Sequence, residues 1–233
     1  MKAHGYDYIV VGSGASGSVI ASRLSEDPAV RVLLVEAGTT DAHPMFRIPG
    51  LGFAAGAVAR YNWNFQTEPI AALGGRRMTV LQGKVLGGSS SMNGMVYTRG
   101  HRAEYDSWAE MGCEGWGFDD LRPFFFKSEG NYRKQSQHHG SQGPLKLRRA
   151  NPELPICDAF LTAAAASGVP VVDDLNEDHA EGLGWYDLNI DKGLRLSAAR
   201  AYLAEVRARP NLTVLTCTRV TRVRMERGRA TGI

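Results

Sequence analysis

Residues 6–38 read YDYIVVGSGASGSVIASRLSEDPAVRVLLVEAG, and this stretch decides the fold. An apolar run is followed by glycines at Gly12, Gly14 and Gly17, by apolar residues at helical spacing, and by a second apolar run. The order of strand, glycine turn, helix and strand predicts a right-handed βαβ unit. The unbroken apolar runs predict strands that are buried on both faces of a parallel sheet. We therefore expect an α/β fold of the Rossmann type.

The three glycines have separate predicted roles in holding a dinucleotide. Gly12 permits a tight turn after the first strand, Gly14 lets the backbone approach a pyrophosphate, and Gly17 lets the helix pack on the strand. The first helical residues, Ala15 and Ser16, belong to a helix N-terminus whose free N–H groups can bind phosphates. The stretch therefore predicts a phosphate site at the start of the helix.

The second strand ends at an acidic residue, Glu36, which Ala37 follows. Glu36 lies 19 residues after Gly17, where a carboxylate can accept hydrogen bonds from ribose hydroxyls. NAD and FAD both use this arrangement, so the stretch alone leaves the choice of cofactor open.

Composition and charge exclude several other classes of protein. The chain has 233 residues, of which 43% are hydrophobic and 22% charged, as in ordinary globular proteins. The net charge is +3 and the basic residues are scattered, which argues against a nucleic-acid partner. No apolar run reaches the roughly 18 residues of a transmembrane helix, and the first strand begins too early for a signal peptide. Cysteines at positions 113, 157 and 217 fit no disulfide or metal pattern, which predicts a cytoplasmic location.

A second informative stretch, residues 83–101, reads GKVLGGSSSMNGMVYTRGH. Gly87, Gly88 and the serines after them predict an irregular loop with flexible backbone and many donors, which could wrap a polar or negatively charged cofactor. A simple Gly/Ser linker has the same composition, although the apolar residues on both sides favour a buried loop. The aromatic segment 61–65 (YNWNF) is predicted to pack in the core and not to contact a ligand.

Over residues 5–233 the chain resembles the N-terminal half of a GMC (glucose–methanol–choline) oxidoreductase, close to the choline dehydrogenase and alcohol dehydrogenase branch. The resemblance lies in both quoted stretches and in residues 105–108, 115–117, 193–203 (GLRLSAARAYL), 209–212 and 214–233. It implies a Rossmann-like FAD-binding domain over residues 1–130 and 195–233. Residues 131–194 would form part of an α+β substrate domain.

The resemblance also implies FAD as the cofactor and places it along the second stretch, with the backbone of Val220 at the adenine. Some relatives bind FAD covalently through a histidine at the position of Met92, so we expect non-covalent FAD here. The full set of expected FAD-binding residues is Gly12, Gly14, Ala15, Ser16, Gly17, Glu36, Ala37, Val85, Gly87, Gly88, Ser90, Asn93, Gly94, Met95, Val96 and Val220.

The activity implied by the resemblance is oxidation of an alcohol, in which a base takes the hydroxyl proton and the carbon gives hydride to the flavin. The family's catalytic histidine, with a second histidine or an asparagine, lies in a C-terminal half that has no match here. We therefore expect a truncated chain with no catalytic residue, whose partners are a small alcohol and a complementing C-terminal half; the electron acceptor stays open. The alternatives are a non-catalytic FAD-binding fragment, or an oxidase, lyase or photodecarboxylase of the same fold.

Two polar groups lie outside these stretches. His138 and His139 are adjacent and point in different directions, which predicts a solvated or locally hydrogen-bonded pair. No metal site is predicted. The nearby carboxylates are predicted to serve turns and caps, at Asp173, Asp174 and Asp178.

Overall fold

The computed structural model of the protein describes residues 5–133, 136–150, 154–177 and 181–233, so Asp178 lies outside the described residues. The helices are α1 (Ala15–Leu24), α2 (Gly52–Gly56), α3 (Arg102–Glu110), α4 (Phe118–Ser128), α5 (Pro155–Ala166) and α6 (Ala198–Tyr202). The strands are β1 (Tyr8–Val11), β2 (Val32–Val35), β3 (Phe65–Gln66), β4 (Thr79–Val80), β5 (Val96–Tyr97), β6 (Glu129–Asn131), β7 (Leu145–Arg149), β8 (Asp187–Leu188), β9 (Ile190–Asp191), β10 (Leu194–Arg195), β11 (Leu212–Leu215), β12 (Arg224–Glu226) and β13 (Arg229–Gly232). Short 3₁₀ turns occur at Pro44–Phe46, Pro49–Leu51, Ala59–Tyr61, Ala71–Leu73 and Gly88–Ser91.

The chain divides into two compact units. The first comprises Met1–Met95 and Gly193–Ile233, and the second comprises Val96–Lys192. The predicted first domain extended to residue 130, whereas residues 96–130 belong to the second unit, because β5 and β6 are strands of the same four-stranded sheet. The assignment of FAD binding to one domain and substrate binding to the other stays a prediction.

The first unit contains a three-stranded parallel sheet in the order β1-β2-β11. Leu34 of β2 is paired with Val10 of β1 and with Val214 of β11. Because α1 connects the parallel strands β1 and β2, the βαβ unit predicted from residues 6–38 is confirmed. Its buried core consists of Val10, Ala21, Val32, Leu34, Leu86, Ala199, Leu203 and Leu212.

Burial differs between the two strands of the βαβ unit. All four residues of β2 are buried, as its unbroken apolar run predicts. In β1, Tyr8 is 50% exposed and Val11 is 54% exposed, so the prediction of burial on both faces is wrong for this strand. The physical reason is position: β2 lies between two strands, whereas β1 has β2 as its one partner in the described sheet.

The second unit has a four-stranded sheet in the order β5-β8-β7-β6. Strands β6 and β7 are parallel, and the other neighbours are antiparallel. Helices α3 and α4 pack through aromatic side chains, since the ring of Tyr105 lies 5.9 Å from Phe118 and 5.8 Å from Phe125. The unit thus contains both helices and a mixed sheet. The α+β domain predicted for residues 131–194 corresponds to part of this unit. Among the residues described, no helix combines the length and apolar character that crossing a bilayer requires.

Candidate functional site

The glycine turn between β1 and α1 is tightly built. Gly12 has a φ of +89°, and its N–H donates to the carbonyl of Val35 over 2.8 Å. A Cβ on Gly17 would lie 1.9 Å from the Gly12 carbonyl oxygen, so the predicted close contact of helix and strand is confirmed. A Cβ on Gly14 would meet nothing within 4 Å, which leaves open space in front of this residue.

The N-terminus of α1 is free to bind an anion. Gly14 is its N-cap and has no side chain to accept from the first turn. The first helical bond runs from the N–H of Ser18 to the carbonyl of Gly14, and no described acceptor takes the N–H groups of residues 14–17. Ala15 and Ser16 are exposed. These free donors and the helix dipole both favour negative charge at this end.

Glu36 connects the glycine turn to the end of β2. Its Oε2 accepts from the N–H of Ser13 at 2.9 Å and from the Ser13 hydroxyl at 2.6 Å, while Oε1 accepts from the N–H of Gly38 at 2.7 Å. The carboxylate is buried, so these charge-assisted bonds hold the turn in place. Oε1 accepts one described donor and has room for a second, and the predicted ribose contact stays a prediction.

The second quoted stretch lies directly against this turn. The N–H of Leu86 donates to the carbonyl of Thr39 at 2.8 Å, and the N–H of Gly87 donates to the carbonyl of Ser13 at 3.0 Å. A Cβ on Gly88 would lie 2.9 Å from the Cα of Gly14. Residues Gly88–Ser91 form a 3₁₀ turn where an irregular loop was predicted. The stretch is therefore part of a packed site and not a linker.

A cleft of about 230 Å³ opens where these segments meet. Six of the expected FAD-binding residues line it: Gly12, Gly14, Glu36, Ala37, Gly88 and Val220. Its other lining residues are Val11, Val35, Trp63, Gln82, Gly83, Thr218 and Arg219. The fold thus brings together predicted residues from segments that are far apart in the sequence.

The other expected residues of the second stretch lie outside the lining of this cleft. Val85 is buried in a small core with Phe46, Ala55, Tyr61 and Met92. Ser90 accepts from the N–H of Ala198 through its hydroxyl at 2.9 Å. Asn93 and Gly94 are exposed, Met95 is buried, and Val96 begins β5 in the second unit. Whether these residues contact FAD stays a prediction.

Sequence reasoning missed the aromatic wall of the cleft. Core packing is the correct prediction for Tyr61, which is buried, and the wrong one for Trp63, which lines the cleft. The Nζ of Lys84 lies 5.0 Å from the ring centroid of Trp63, and the guanidinium carbon of Arg219 lies 5.4 Å from it. The available signal was the alternation of aromatic and polar residues in segment 61–65, because such alternation predicts an extended segment with one buried face and one exposed face.

A second polar cluster lies in the second unit, around His139. The ring is fully buried, with Nε2 2.6 Å from Oδ2 of Asp174 and Nδ1 2.8 Å from Oε2 of Glu129. The side-chain N–H groups of Asn131 and Arg99 also face Nδ1, at 3.0 Å and 3.2 Å. His139 was predicted to be solvated or locally hydrogen-bonded, and it is buried and not solvated, because β6 and the loop at Asp174 supply carboxylates to both ring nitrogens. Asp174 does serve a turn, since its Oδ1 accepts from the N–H of Asn176 at 2.9 Å.

The pKa values in this cluster follow from the paired charges. Burial lowers the pKa of His139, but its hydrogen bonds to Asp174 and Glu129 outweigh burial and raise that pKa to about 9. Burial raises the pKa of Asp174, but the hydrogen bonds from His139 and Asn176 lower it to about 2. For Glu129 the hydrogen bonds from His139 and Tyr97 likewise outweigh burial, and its pKa is lowered. The raised pKa of His139 favours the protonated form of its ring beside these two carboxylates.

The same cluster has some of the donors of a metal site. Ligand atoms of His139, Asp174 and Asp187 lie within 4.8 Å of one another. A metal needs a ring nitrogen with a free lone pair, whereas Nε2 of His139 lies 2.6 Å from Oδ2 of Asp174 and its Nδ1 is already contacted by Glu129, Arg99 and Asn131. The guanidinium of Arg133 already neutralises Asp187, with Nη1 2.7 Å from Oδ2. We therefore interpret the cluster as an ion-pair network of the second unit.

Comparisons with known proteins relate this chain to one family. A family model described as GMC oxidoreductase matches residues 6–233. An oxygen-dependent choline dehydrogenase of Sinorhizobium fredii is 40% identical over 227 residues, which cover 97% of this chain and 41% of that protein. This chain therefore spans about two fifths of the length of the curated relative.

Solved structures give the same result. Pyridoxine 4-oxidase from Mesorbium loti superposes with a TM-score of 0.91 at 37% identity, over 97% of this chain and 45% of that one. An FAD-dependent oxidoreductase from Chaetomium thermophilum superposes with a TM-score of 0.83 at 32% identity, over 91% of this chain and 38% of that one. Both similarities extend over nearly all of this chain and under half of the other protein.

Proposed function

Because this chain belongs to the GMC oxidoreductase family, as its sequence predicts, we propose that it supplies the FAD-binding part of an enzyme that oxidises an alcohol. The observation that carries the proposal is the cleft in which Gly12, Gly14, Glu36, Gly88 and Val220 meet. These residues come from the two quoted stretches and from the chain after β11. Each of them belongs to the set of expected FAD-binding residues.

The cleft fits the pyrophosphate of FAD. Free N–H groups at the start of α1 offer donors, and Gly14 leaves the space in front of them open. Lys84 and Arg219 bring positive charge to the cleft wall at Trp63. Donors, open space and positive charge together suit a group with two negative charges.

The adenosine part of FAD would be held at the other lining residues. Oε1 of Glu36 has room for a ribose hydroxyl, and Val220 lies in the lining where the adenine is expected. Trp63 offers a large ring face of the kind that stacks on a planar base. Both contacts are part of the proposal.

We propose non-covalent binding because Met92 is buried in the core with Phe46 and Tyr61, and its thioether is no nucleophile toward a flavin. FAD, when bound, would accept the hydride of an alcohol carbon. The role of this chain is to bind and orient the cofactor.

The alcohol, the electron acceptor and a complementing C-terminal segment are further parts of the proposal. So is a cytoplasmic location, which the free thiols of Cys113, Cys157 and Cys217 support.

Tryptophan fluorescence tests the binding step directly. FAD added to the purified chain should quench the emission of Trp63, because this ring lies in the cleft wall. Trp63→Phe should remove that quenching, while Trp116→Phe in the second unit should retain it. NAD at the same concentration should compete poorly. Full release of the bound flavin by acid precipitation is expected, and flavin that stays on the chain would contradict non-covalent binding.

Activity requires a separate test, on the chain together with a C-terminal segment of a relative. Reduction of an electron-accepting dye on addition of an alcohol would support dehydrogenase activity. Peroxide formation would show an oxidase instead. FAD binding without either reaction would favour the non-catalytic alternative.

A further inference from the structure

Arg195 is a buried cation without an anion. It is the largest of the fully buried side chains, and its residue is 1% exposed. Its main-chain N–H donates to the carbonyl of Arg47 at 2.8 Å, which fixes the backbone. No acidic side chain among the described residues forms an ion pair with it, and its Nε is buried without a partner. A buried charge in this state is costly unless its surroundings compensate it.

The guanidinium contacts neutral oxygens of the loop that the family resemblance places along FAD. Nη1 donates to Oδ1 of Asn93 at 3.0 Å and to the carbonyl of Ser90 at 3.3 Å, and Nη2 donates to the carbonyl of Pro49 at 3.4 Å. The space around it is tight, since a Cβ on Gly52 would lie 2.1 Å from Nη2. The Arg195 side chain is therefore closely packed, and its hydrogen bonds connect it to the loop at Ser90 and Asn93.

These bonds fix the orientation of the Asn93 amide. Its Oδ1 accepts from Arg195 and also from the N–H of Met95 at 3.0 Å, so both lone pairs of this oxygen are used. The Nδ2 group is then the free end, and Asn93 is exposed on the open side of the loop. An asparagine held in this way presents two N–H donors outward.

We propose that Arg195 is a positioning residue of the flavin site, which holds Asn93 so that its Nδ2–H donors face the bound cofactor. Its uncompensated charge would in addition favour a negatively charged ligand beside the loop. This inference rests on the proposed function, because the ligand in question is FAD. It goes beyond that function by assigning a role to a residue that was not expected at the cofactor.

Three variants test the inference by titration with FAD alone. Arg195→Met removes the charge and the hydrogen bonds, and the Kd for FAD should rise about tenfold or more, because a bond to a charged group contributes about 1.5–3 kcal/mol. Arg195→Lys keeps the charge without the planar fork and should give an intermediate Kd. Asn93→Asp keeps the acceptor for Arg195 but loses the Nδ2 donors. It should therefore weaken FAD binding while the ligand-free chain stays at least as stable.

Arg209→Met is the matched control. Nη1 of Arg209 also donates to neutral oxygens, at 2.8 Å to the carbonyl of Ser22 and at 2.9 Å to the hydroxyl of Ser25. It lies at the far end of α1, so its loss should alter stability and leave the Kd for FAD within about twofold.

A double-mutant cycle separates positioning from a purely structural role. If Arg195 acts through Asn93, Arg195→Met should change the Kd much less in an Asn93→Ala chain than in the unaltered chain. Equal effects in both chains would overturn the inference and leave the proposed function intact. Should the unaltered chain fail to bind FAD at all, both would be wrong. If Arg195→Met does not fold, the Arg195→Lys and Asn93→Asp titrations decide the matter.

Discussion

The imidazole of His139 donates its Nε2–H to Oδ2 of Asp174 at 2.6 Å, although the two residues are 35 positions apart in the sequence. The other ring nitrogen is bound to Glu129, which also accepts from Arg99 at 2.8 Å and from the hydroxyl of Tyr97. Arg133 forms ion pairs with Asp187 at 2.7 Å and with Asp174 at 3.7 Å. The cluster thus balances its positive and negative charges inside the second unit, which makes each member costly to remove.

Replacing His139 by glutamine should destabilise the chain by about 3 kcal/mol, since it removes the cation between two buried carboxylates and leaves Glu129 with Arg99 at 2.7 Å and Asp174 with Arg133 at 3.7 Å. Urea unfolding at neutral pH measures the change in the free energy of unfolding. His138→Gln is the control and should change it by less than about 0.5 kcal/mol, because the His138 ring contacts the exposed side chain of Gln137. Equal effects of the two substitutions would show that His139 is not buried as described.

The stability of the chain should fall at both acidic and alkaline pH. The pKa of His139 rises from 6.5 to about 9 on folding, so its contribution is complete below pH 6.5 and is lost as pH rises through about 9. The pKa of Asp174 falls from 3.8 to about 2, so its contribution is present above pH 3.8 and is lost as pH falls through about 2. Unfolding curves across this range measure both, and His139→Gln should remove the alkaline loss. An unchanged alkaline slope in that variant would assign the effect to another group.

Gly17→Ala and Gly14→Ala should affect different properties of the chain. Alanine at position 17 places a Cβ 1.9 Å from the Gly12 carbonyl oxygen and should destabilise the fold by about 2 kcal/mol or more. Alanine at position 14 meets no atom within 4 Å and should change stability by less than about 1 kcal/mol. Its methyl group would occupy the open space at the start of α1, so the Kd for FAD should rise about tenfold or more.

Thermal unfolding and FAD titration on both variants separate the two effects. A Gly14→Ala chain that binds FAD normally would count against a pyrophosphate in that space.

Glu36→Gln should weaken the ligand-free chain and not only FAD binding. The carboxylate accepts three hydrogen bonds from Ser13 and Gly38, and an amide would turn a donor toward one of those donors. We expect a loss on the order of 3 kcal/mol, because bonds to charged groups contribute about 1.5–3 kcal/mol each. Glu68→Gln, at a side chain that is 90% exposed, is the control and should change stability little. Unfolding measured without FAD decides the point, and an unaltered midpoint in Glu36→Gln would refute it.

The βαβ unit and most of the glycine turn could be predicted from sequence because their causes are local. The clash that excludes a side chain at Gly17 involves Gly12, five positions earlier, and the apolar runs of β1 and β2 form their strands within one continuous stretch. The FAD site was expected from resemblance, and the cleft gathers six of its expected residues. Local spacing could not tell that Trp63 lines this cleft, because its position depends on Lys84 and Arg219 from other segments.

What the sequence determined by itself is the order of strand, glycine turn and helix, together with the cofactor class that its motifs imply. The tertiary structure decided whether individual polar residues are buried and which partners they have. His139 was predicted to belong to a solvated or locally hydrogen-bonded pair, and Arg195 lay in the stretch 193–203 without a predicted role of its own. Both are buried because β6, the 3₁₀ turns and the loops bring their partners from distant positions. The partners that stabilise a buried charge come from distant positions in the sequence, so the residues next to it in the sequence do not predict its burial.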